Sequence, residues 1–532
     1  MRGGFPHVTD QMSQQVFIYD TTLRDGTQGE GFFLSGLDKL RLAKRLDEFG
    51  VHYIEGGWPG SNPKDIEFFQ EAKKVSWKNS KIVAFGSTRR VGIKVADDPQ
   101  VALLIEAETP AITIYGKTWD LHVSEVLRTT VEENQAMIYD TVHYLKSAGR
   151  EVFFDAEHFF DGYKASPEHA LDCIKKAADA GADGIILCDT NGGTLPYEVS
   201  EICQVVKRHL GQTPFGIHTH NDCELAVANA VAAVQAGGTQ VQGTINGYGE
   251  RTGNCNLTSV IPILQLKLNR PVVPDLTQLR NLSYFVDDLS NNPQFPRAPF
   301  VGATAFSHKG GTHVNAVKKL AASYEHIAPA LVGNQQQILV SELAGQDNIL
   351  IAAEKLNLPL KKGSPEAKAV LQKVKQRENE GYSYEAANGS LELLIKQEIG
   401  LYQKPWEVKE YHCSYRESFE MSRPVCEATV KLLLDGNPAY TVEEGSGVVN
   451  ALDKALRKAL RESYPAISNI SLIDYKVRII EAEGATASKT RVLIVHTDGE
   501  RSWGTVGVSD SIVEASWIAL CEGLSLFIQR NA

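Results

Sequence analysis

His218 and His220 stand two residues apart at the end of an apolar run, FGIHTH at 215–220. Strand side chains alternate in direction with period two, so both imidazoles project from one face and offer two nitrogens to a metal ion. Alone, an H-x-H pair also suits two polar residues at a strand end. Asp25, in LRDG at 23–26, follows an early apolar run, and Asn254, in GYGERTGN at 247–254, follows the run after the histidines. Two neutral nitrogens, a carboxylate and open coordination positions suit a divalent ion that also accepts substrate oxygens; Zn²⁺, Mn²⁺, Co²⁺ and Mg²⁺ all meet that description. Arg24, beside Asp25, can hold negative charge developing on an oxygen, which makes it a candidate for catalysis and for substrate binding. Glu157, in FFDAEH, can serve as acid, base or orienter, with Asp155 and His158 as rivals. Thr190, in LCDTNGG, can bind a substrate carboxylate through its hydroxyl and nearby backbone N–H groups, although the glycines there also suit a plain turn.

These residues are far apart in the chain, so the elements between them must bring them together. Eight strand candidates run from Val16 to about Leu268: VFIYD, VHYIEG, KIVAFG, AITIYG, EVFFDAE, GIILCD, FGIHTH and TQVQGTI. Their centres recur at roughly 30-residue intervals with amphipathic stretches between them, the spacing of successive βα units joined by right-handed crossovers. Eight such units predict an α/β fold, a closed (β/α)₈ TIM barrel over 1–270; a doubly wound open sheet is the alternative. Helix ends fit: the stretch from Leu37 to Phe49 stops at Gly50, and Pro196 opens one that runs to Leu210. Closure places strands seven, eight and one side by side, so Asp25, His218, His220 and Asn254 converge at the C-terminal mouth, where barrel enzymes do their chemistry.

Beyond the barrel, Pro271 to Pro299 carries five prolines and reads as a linker into a mostly helical subdomain that ends near 404. The remainder, 405–532, holds an internal repeat. LLLDGNPAYTVEEGSGVVNALDKAL is echoed by IVHTDGERSWGTVGVSDSIVEASWIAL, with Asp435-Gly436 matching Asp498-Gly499. Each copy predicts a hairpin and a helix, and two copies are expected to bury their helices against a shared sheet around a pseudo-twofold axis. Such an α+β module senses small ligands in some proteins and only dimerises in others.

Bulk properties narrow the function classes. A chain of 532 residues is long enough for a barrel of about 250 residues and further units. No apolar run reaches the roughly 18 residues of a membrane span, and the stretch from Met1 to Gln15 lacks the apolar core of a secretory signal. Eight thinly spread cysteines, among them Cys188 and Cys203 in apolar runs, read as reduced thiols and point to the cytoplasm. A formal net charge of −11 argues against a general nucleic-acid binder but leaves room for a local basic pocket.

Five segments in this order, YDTTLRDGTQ, FDAEHFFDGY, HTHND, GTINGYGERTGN and HKGGTHVNAV, followed by the repeat module, resemble the 2-isopropylmalate synthase and citramalate synthase family of barrel metalloenzymes. The resemblance spans nearly the whole chain. GGWPGSNPKD at 56–65 and SYEHIAPALVGN at 323–334 look most like the citramalate synthase branch, although relatives often carry a small residue where Trp58 stands. The resemblance implies that Asp25, His218 and His220 bind a divalent metal with Asn254 close by, and that Arg24 and Glu157 are catalytic. It also implies that His313 and Tyr324, from the subdomain, help to activate acetyl-CoA. The implied reaction joins acetyl-CoA to a 2-oxoacid, with pyruvate giving citramalate for isoleucine biosynthesis and 2-oxoisovalerate giving 2-isopropylmalate for leucine. An end-product amino acid, isoleucine before leucine, is then the expected effector of the repeat module in a homodimer. A hydroxyacyl-CoA lyase would share the metal site but has no evident need for the module. A non-catalytic amino-acid sensor would not need intact Arg24, Glu157 and His313.

Overall fold

The structure is a computed structural model that describes residues 15–338, 346–417, 425–480 and 488–531. Most of the Met1 to Gln15 stretch therefore lies outside the described residues. The chain divides into two compact units, 1–306 with 327–335, and 307–326 with 336–532.

The first unit is the barrel. Strands β1 (Phe17–Asp20), β2 (Tyr53–Gly57), β3 (Lys81–Ser87), β4 (Ala111–Lys117), β5 (Glu151–Glu157), β6 (Gly184–Asp189), β7 (Phe215–Thr219) and β8 (Gln240–Gly243) lie in chain order, all parallel. β8 closes on β1 from Phe17↔Gln240 to Asp20↔Gly243. The eight expected strands and their closure are all present. Alternation along each strand explains why the sheet curls around a filled bore. Ile18, Ile54, Ile82, Ile112, Val152, Ile185 and Ile217 point outward into the core shared with the helices. Their neighbours Tyr19, Tyr53, Val83, Ala111, Phe153 and Ile186 form a separate apolar plug inside the barrel. One step further along the strands the inward positions turn polar: Glu55, Thr113, Asp155 and Gln242 are buried there. The floor of the mouth is thus charged and amide-rich because the period-two register carries those residues inward above an aromatic base.

The helix Gly36–Phe49 ends at Gly50, whose φ of 93° forms the left-handed cap, and the helix Pro196–Leu210 opens on its proline. The proline-rich stretch read as a linker is packed instead. It carries the helix Leu279–Leu289, and Val272, Val273, Leu276, Leu279, Leu282 and Val286 join the barrel's outer core.

In the second unit, helices Gly311–Lys319, Gln346–Lys355, Pro365–Asn379 and Asn388–Glu398 precede the repeat module. The first copy has strands Glu407–Arg416, Val425–Leu434 and Asn437–Gly445 and the helix Val448–Leu460. The second has Ser471–Ile479, Thr490–Thr497 and Ser502–Ser509 and the helix Ile512–Asn531. Asp435 (φ 48°) and Gly436 (φ 83°) make the tight hairpin turn that Asp-Gly favours. The expected shared sheet is replaced by two separate three-stranded antiparallel sheets, because each copy supplies a leading strand that pairs within its own copy. Ile512–Asn531 is the one described helix long and apolar enough to cross a membrane. Its apolar length is used in the module's core, where Trp517, Leu524, Leu526 and Phe527 are buried.

Candidate active site

A cavity of about 270 Å³ opens at the C-terminal mouth of the barrel, and Arg24, Asp25, Glu157, Thr190, His218 and His220 all line it. Asn254 lies behind that lining: its Nδ2 is 3.0 Å from His218 Nε2 and 3.5 Å from Asp25 Oδ2. Residues 229 positions apart, Asp25 and Asn254, therefore meet at one point. His313 and Tyr324 belong to the second unit, where they lie against each other with ring centroids 4.5 Å apart.

Charge is organised around Arg24. Its Nη1 pairs with Asp25, its Nε donates to Glu55 Oε2 at 2.5 Å, and its Cζ lies 3.7 Å from the centre of the Phe85 ring. Glu55, fully buried on β2, also accepts from Tyr19 Oη at 2.6 Å and Thr21 Oγ1 at 2.5 Å. Burial alone would raise the Asp25 carboxyl, but the guanidinium and then the two histidines outweigh it and hold it below the usual carboxylate range. His220 is pushed down to about 3, by burial first and by His218 second, so it stays neutral at physiological pH. Asp155 lies one layer lower; burial and then Glu55 hold it well above the usual carboxylate range. Cys188 lines the cavity, yet burial pushes its thiol up, and it acts as wall rather than nucleophile.

On the opposite side, Glu157 pairs with Lys117 from the end of β4. Its rivals are engaged elsewhere: Asp155 accepts from Gln242 Nε2 at 3.2 Å, and His158 Nδ1 is 3.2 Å from Asp161. Thr190 Oγ1 accepts the backbone N–H of His158 at 2.9 Å, which leaves its own hydroxyl proton free to donate. The third wall is aromatic. Trp58 meets Phe85 and Tyr115 edge-on with centroids 6.0 Å apart in each case.

The donor set fits a divalent ion. Asp25 is ionised, His220 is neutral, and His220 Nδ1 and Asn254 Oδ1 are buried without a hydrogen-bond partner among the described residues. His218 Nε2 lies 3.4 Å from Asp25 Oδ2. Among the described residues no three His, Cys, Asp or Glu side chains form a closed metal cluster by themselves. Asp25 is drawn towards Arg24 and the fourth donor is an amide, so the fit lies in donor chemistry and orphaned atoms.

The loop after β8 shows why GYGERTGN is built from small and left-handed residues. Asn246 (φ 62°), Arg251 (φ 59°) and Gly253 (φ 94°) coil the chain tightly. A Cβ on Gly249 would overlap Asn254 Oδ1. Arg251 then ties three loops together, donating to Asp222 at 2.8 and 2.9 Å and to the Thr190 carbonyl at 2.7 Å. Glu55, Phe85, Tyr115, Lys117, Gln242 and Arg251 escape the sequence reading. The one local signal was a lone charge, Glu55, inside the apolar strand VHYIEG.

A closed parallel barrel with a charged, imidazole-bearing mouth defines a (β/α)₈ enzyme whose site is framed by its βα loops. The family model described as HMGL-like matches residues 15–286. The post-HMGL domain-like model of homocitrate synthase matches 300–381, and the LeuA allosteric (dimerisation) domain matches 385–528. The chain is 54% identical to the (R)-citramalate synthase of Aquifex aeolicus over 98% of this chain and 99% of the relative. It is 49% identical to that of Geobacter sulfurreducens over 97% and 98%. A 2-isopropylmalate synthase of Methanocaldococcus jannaschii is more distant, at 30% over 97% of this chain and 95% of the relative. The chain belongs to the (R)-citramalate synthase family, on an HMGL-like barrel.

The loop geometry carries a test. Gly249→Ala must push Asn254 away from His218 and Asp25, and displacements of about 1 Å in a site cost on the order of 10²-fold in rate. The substitution is expected to lower kcat/KM by that order and, because Gly249 has a φ of 156° that strains any side chain, to lower the thermal midpoint as well. Unchanged kinetics would show that Asn254 needs no such close approach.

Proposed function

We propose that the protein is a transferase that condenses acetyl-CoA with pyruvate and, with water, releases (R)-citramalate and CoA. The observation that carries this reading is the 54% identity, across nearly the whole of both chains, to a relative of that name. The cavity supplies the charges the reaction needs. Thr190 donates to the 2-oxoacid carboxylate. Arg24, already held by Glu55 and the Phe85 face, donates to the oxygen on which negative charge develops, with no reorganisation at the moment of reaction. A divalent ion (Mn²⁺, Mg²⁺, Co²⁺ or Zn²⁺) held by Asp25, His218 and His220, with Asn254 beside them, would polarise the keto group as a Lewis acid.

A base must take one methyl proton from acetyl-CoA. We assign that step to His313, assisted by Tyr324, with Glu157 as the second candidate. The resulting enolate carbon bonds to the keto carbon, and water then cleaves the thioester to release CoA. Removal of a general base is worth about 10²- to 10⁴-fold. His313→Ala is expected to lose that much in kcat while Glu157→Gln loses less, and the reverse order would move the base to Glu157.

Pyruvate and 2-oxoisovalerate differ by a methyl against an isopropyl group, and Trp58, Phe85 and Tyr115 form the wall best placed to sense it. CoA release with a panel of 2-oxoacids is expected to give the highest kcat/KM with pyruvate; a higher value for 2-oxoisovalerate overturns the assignment. Trp58→Ala should narrow the preference by about 10- to 200-fold, the range for a methylene-scale change in an apolar pocket.

The match of residues 385–528 to an allosteric and dimerisation domain supports a homodimer with an amino-acid effector at the repeat module. Glu443–Gly447 borders the first copy's helix; the other small-residue segment, Glu483–Ala487 in the second copy, lies outside the described residues. Isoleucine is expected to lower CoA release by the full-length chain more than leucine does. Indifference to both amino acids would remove the effector, and a sedimentation mass of a single chain would remove the dimer.

A further inference from the structure

We infer that Gln242 is a positioning residue that decides which nitrogen of His218 faces a metal ion. Gln242, on β8, is fully buried, and its side-chain amide meets three groups. On one side lie two oxygens, Asp155 Oδ1 at 3.2 Å and Gln240 Oε1 at 3.4 Å. On the other lies His218 Nδ1 at 2.8 Å. The amide nitrogen can only donate and the amide oxygen can only accept. The side with two oxygens takes the NH₂ group, which turns the carbonyl towards His218. A carbonyl accepts, so His218 Nδ1 carries the proton.

In a neutral imidazole the other nitrogen then holds the lone pair. That nitrogen, Nε2, is the one 3.4 Å from Asp25 Oδ2 and 3.0 Å from Asn254. The opposite tautomer would aim a proton at the same point. The backbone enforces the pairing, since His218 and Gln242 are register partners where β7 meets β8. Gln242 is thus placed to fix both the tautomer and the ring plane of His218, in the manner of the groups that stand behind metal-bound histidines.

The inference rests on the metal reading proposed above, and its test separates the two. The full-length chain is stripped with EDTA and titrated with Mn²⁺ alone, with free Mn²⁺ followed by electron paramagnetic resonance. Losing such a partner typically weakens metal binding by about 10- to 100-fold. Gln242→Leu is expected to show that loss, and Gln242→Met, an isosteric variant that keeps the core filled, should show it as well. Gln242→Glu, whose carboxylate accepts the same N–H, should bind close to the unsubstituted chain. If the unsubstituted chain takes up no Mn²⁺, the metal reading falls and this inference with it. If it binds and Gln242→Met binds as tightly, or Gln242→Glu binds as weakly as Gln242→Met, the role of Gln242 alone is overturned.

Discussion

The mouth of the barrel depends on the position of one guanidinium. A buried ion costs several kcal/mol unless it is paired and hydrogen-bonded. Arg24 meets that demand with both carboxylates within reach, Asp25 at one end of its fork and Glu55 at the other, and with Phe85 beneath its plane. Glu55 cannot swing away, because Tyr19 on β1 and Thr21 just beyond it donate to it. Tyr19 in turn stacks on Tyr53 and meets Phe153 edge-on in the apolar plug. The placement of a charge in the cavity is therefore set by aromatic packing two layers below it. Preorganised charge of this kind acts without waiting for the protein to rearrange.

The same arrangement leaves an electrostatic remainder. Asp25 and Glu55 set two carboxylates against one guanidinium, and His220, pushed down to about 3, adds no compensating charge. Glu157 and Lys117 pair with each other on the far side and cancel. The excess is negative and lies where His218, Asp25 and Asn254 meet. A cation would offset it there, and that is the same point at which orphaned acceptor atoms gather. Charge and hydrogen-bond arguments, which draw on different atoms, thus lead to one location.

What the sequence makes legible follows from the range of each interaction. Strand alternation and βα spacing are local, so the eight strands, their closure and the convergence of Asp25, His218, His220 and Asn254 could be read from short windows. Glu55 and Gln242 could not. Each looks like an ordinary strand residue, and its importance comes from what other strands present to the same level of the bore. Arg251 was hidden for a similar reason, since its two partners, Asp222 and Thr190, lie on two other loops. The packed helix Leu279–Leu289 was masked by prolines that flank it at Pro271, Pro274 and Pro293, although its own apolar spacing is helical. The separate sheets were missed because the leading strand Glu407–Arg416 is largely polar and exposed, with little alternation to betray it.

The repeat module shows how two copies of one design become inequivalent. Both copies bury a helix on three strands, but the helices that precede the module bond to the second copy. Ser390 donates to Glu522 and accepts the Val506 N–H at 2.9 Å, Arg530 reaches Glu392 at 2.5 Å, and Arg491 Nε donates to the Gly381 carbonyl at 2.5 Å. Glu522 is half-buried, and burial raises its carboxyl despite Ser390 and Arg377. A helix joined to its neighbours by partly buried polar contacts breaks them when it shifts, whereas apolar packing carries no such directional tie. The second copy is therefore tied by polar contacts to helices Pro365–Asn379 and Asn388–Glu398, through Arg377, Ser390 and Glu392.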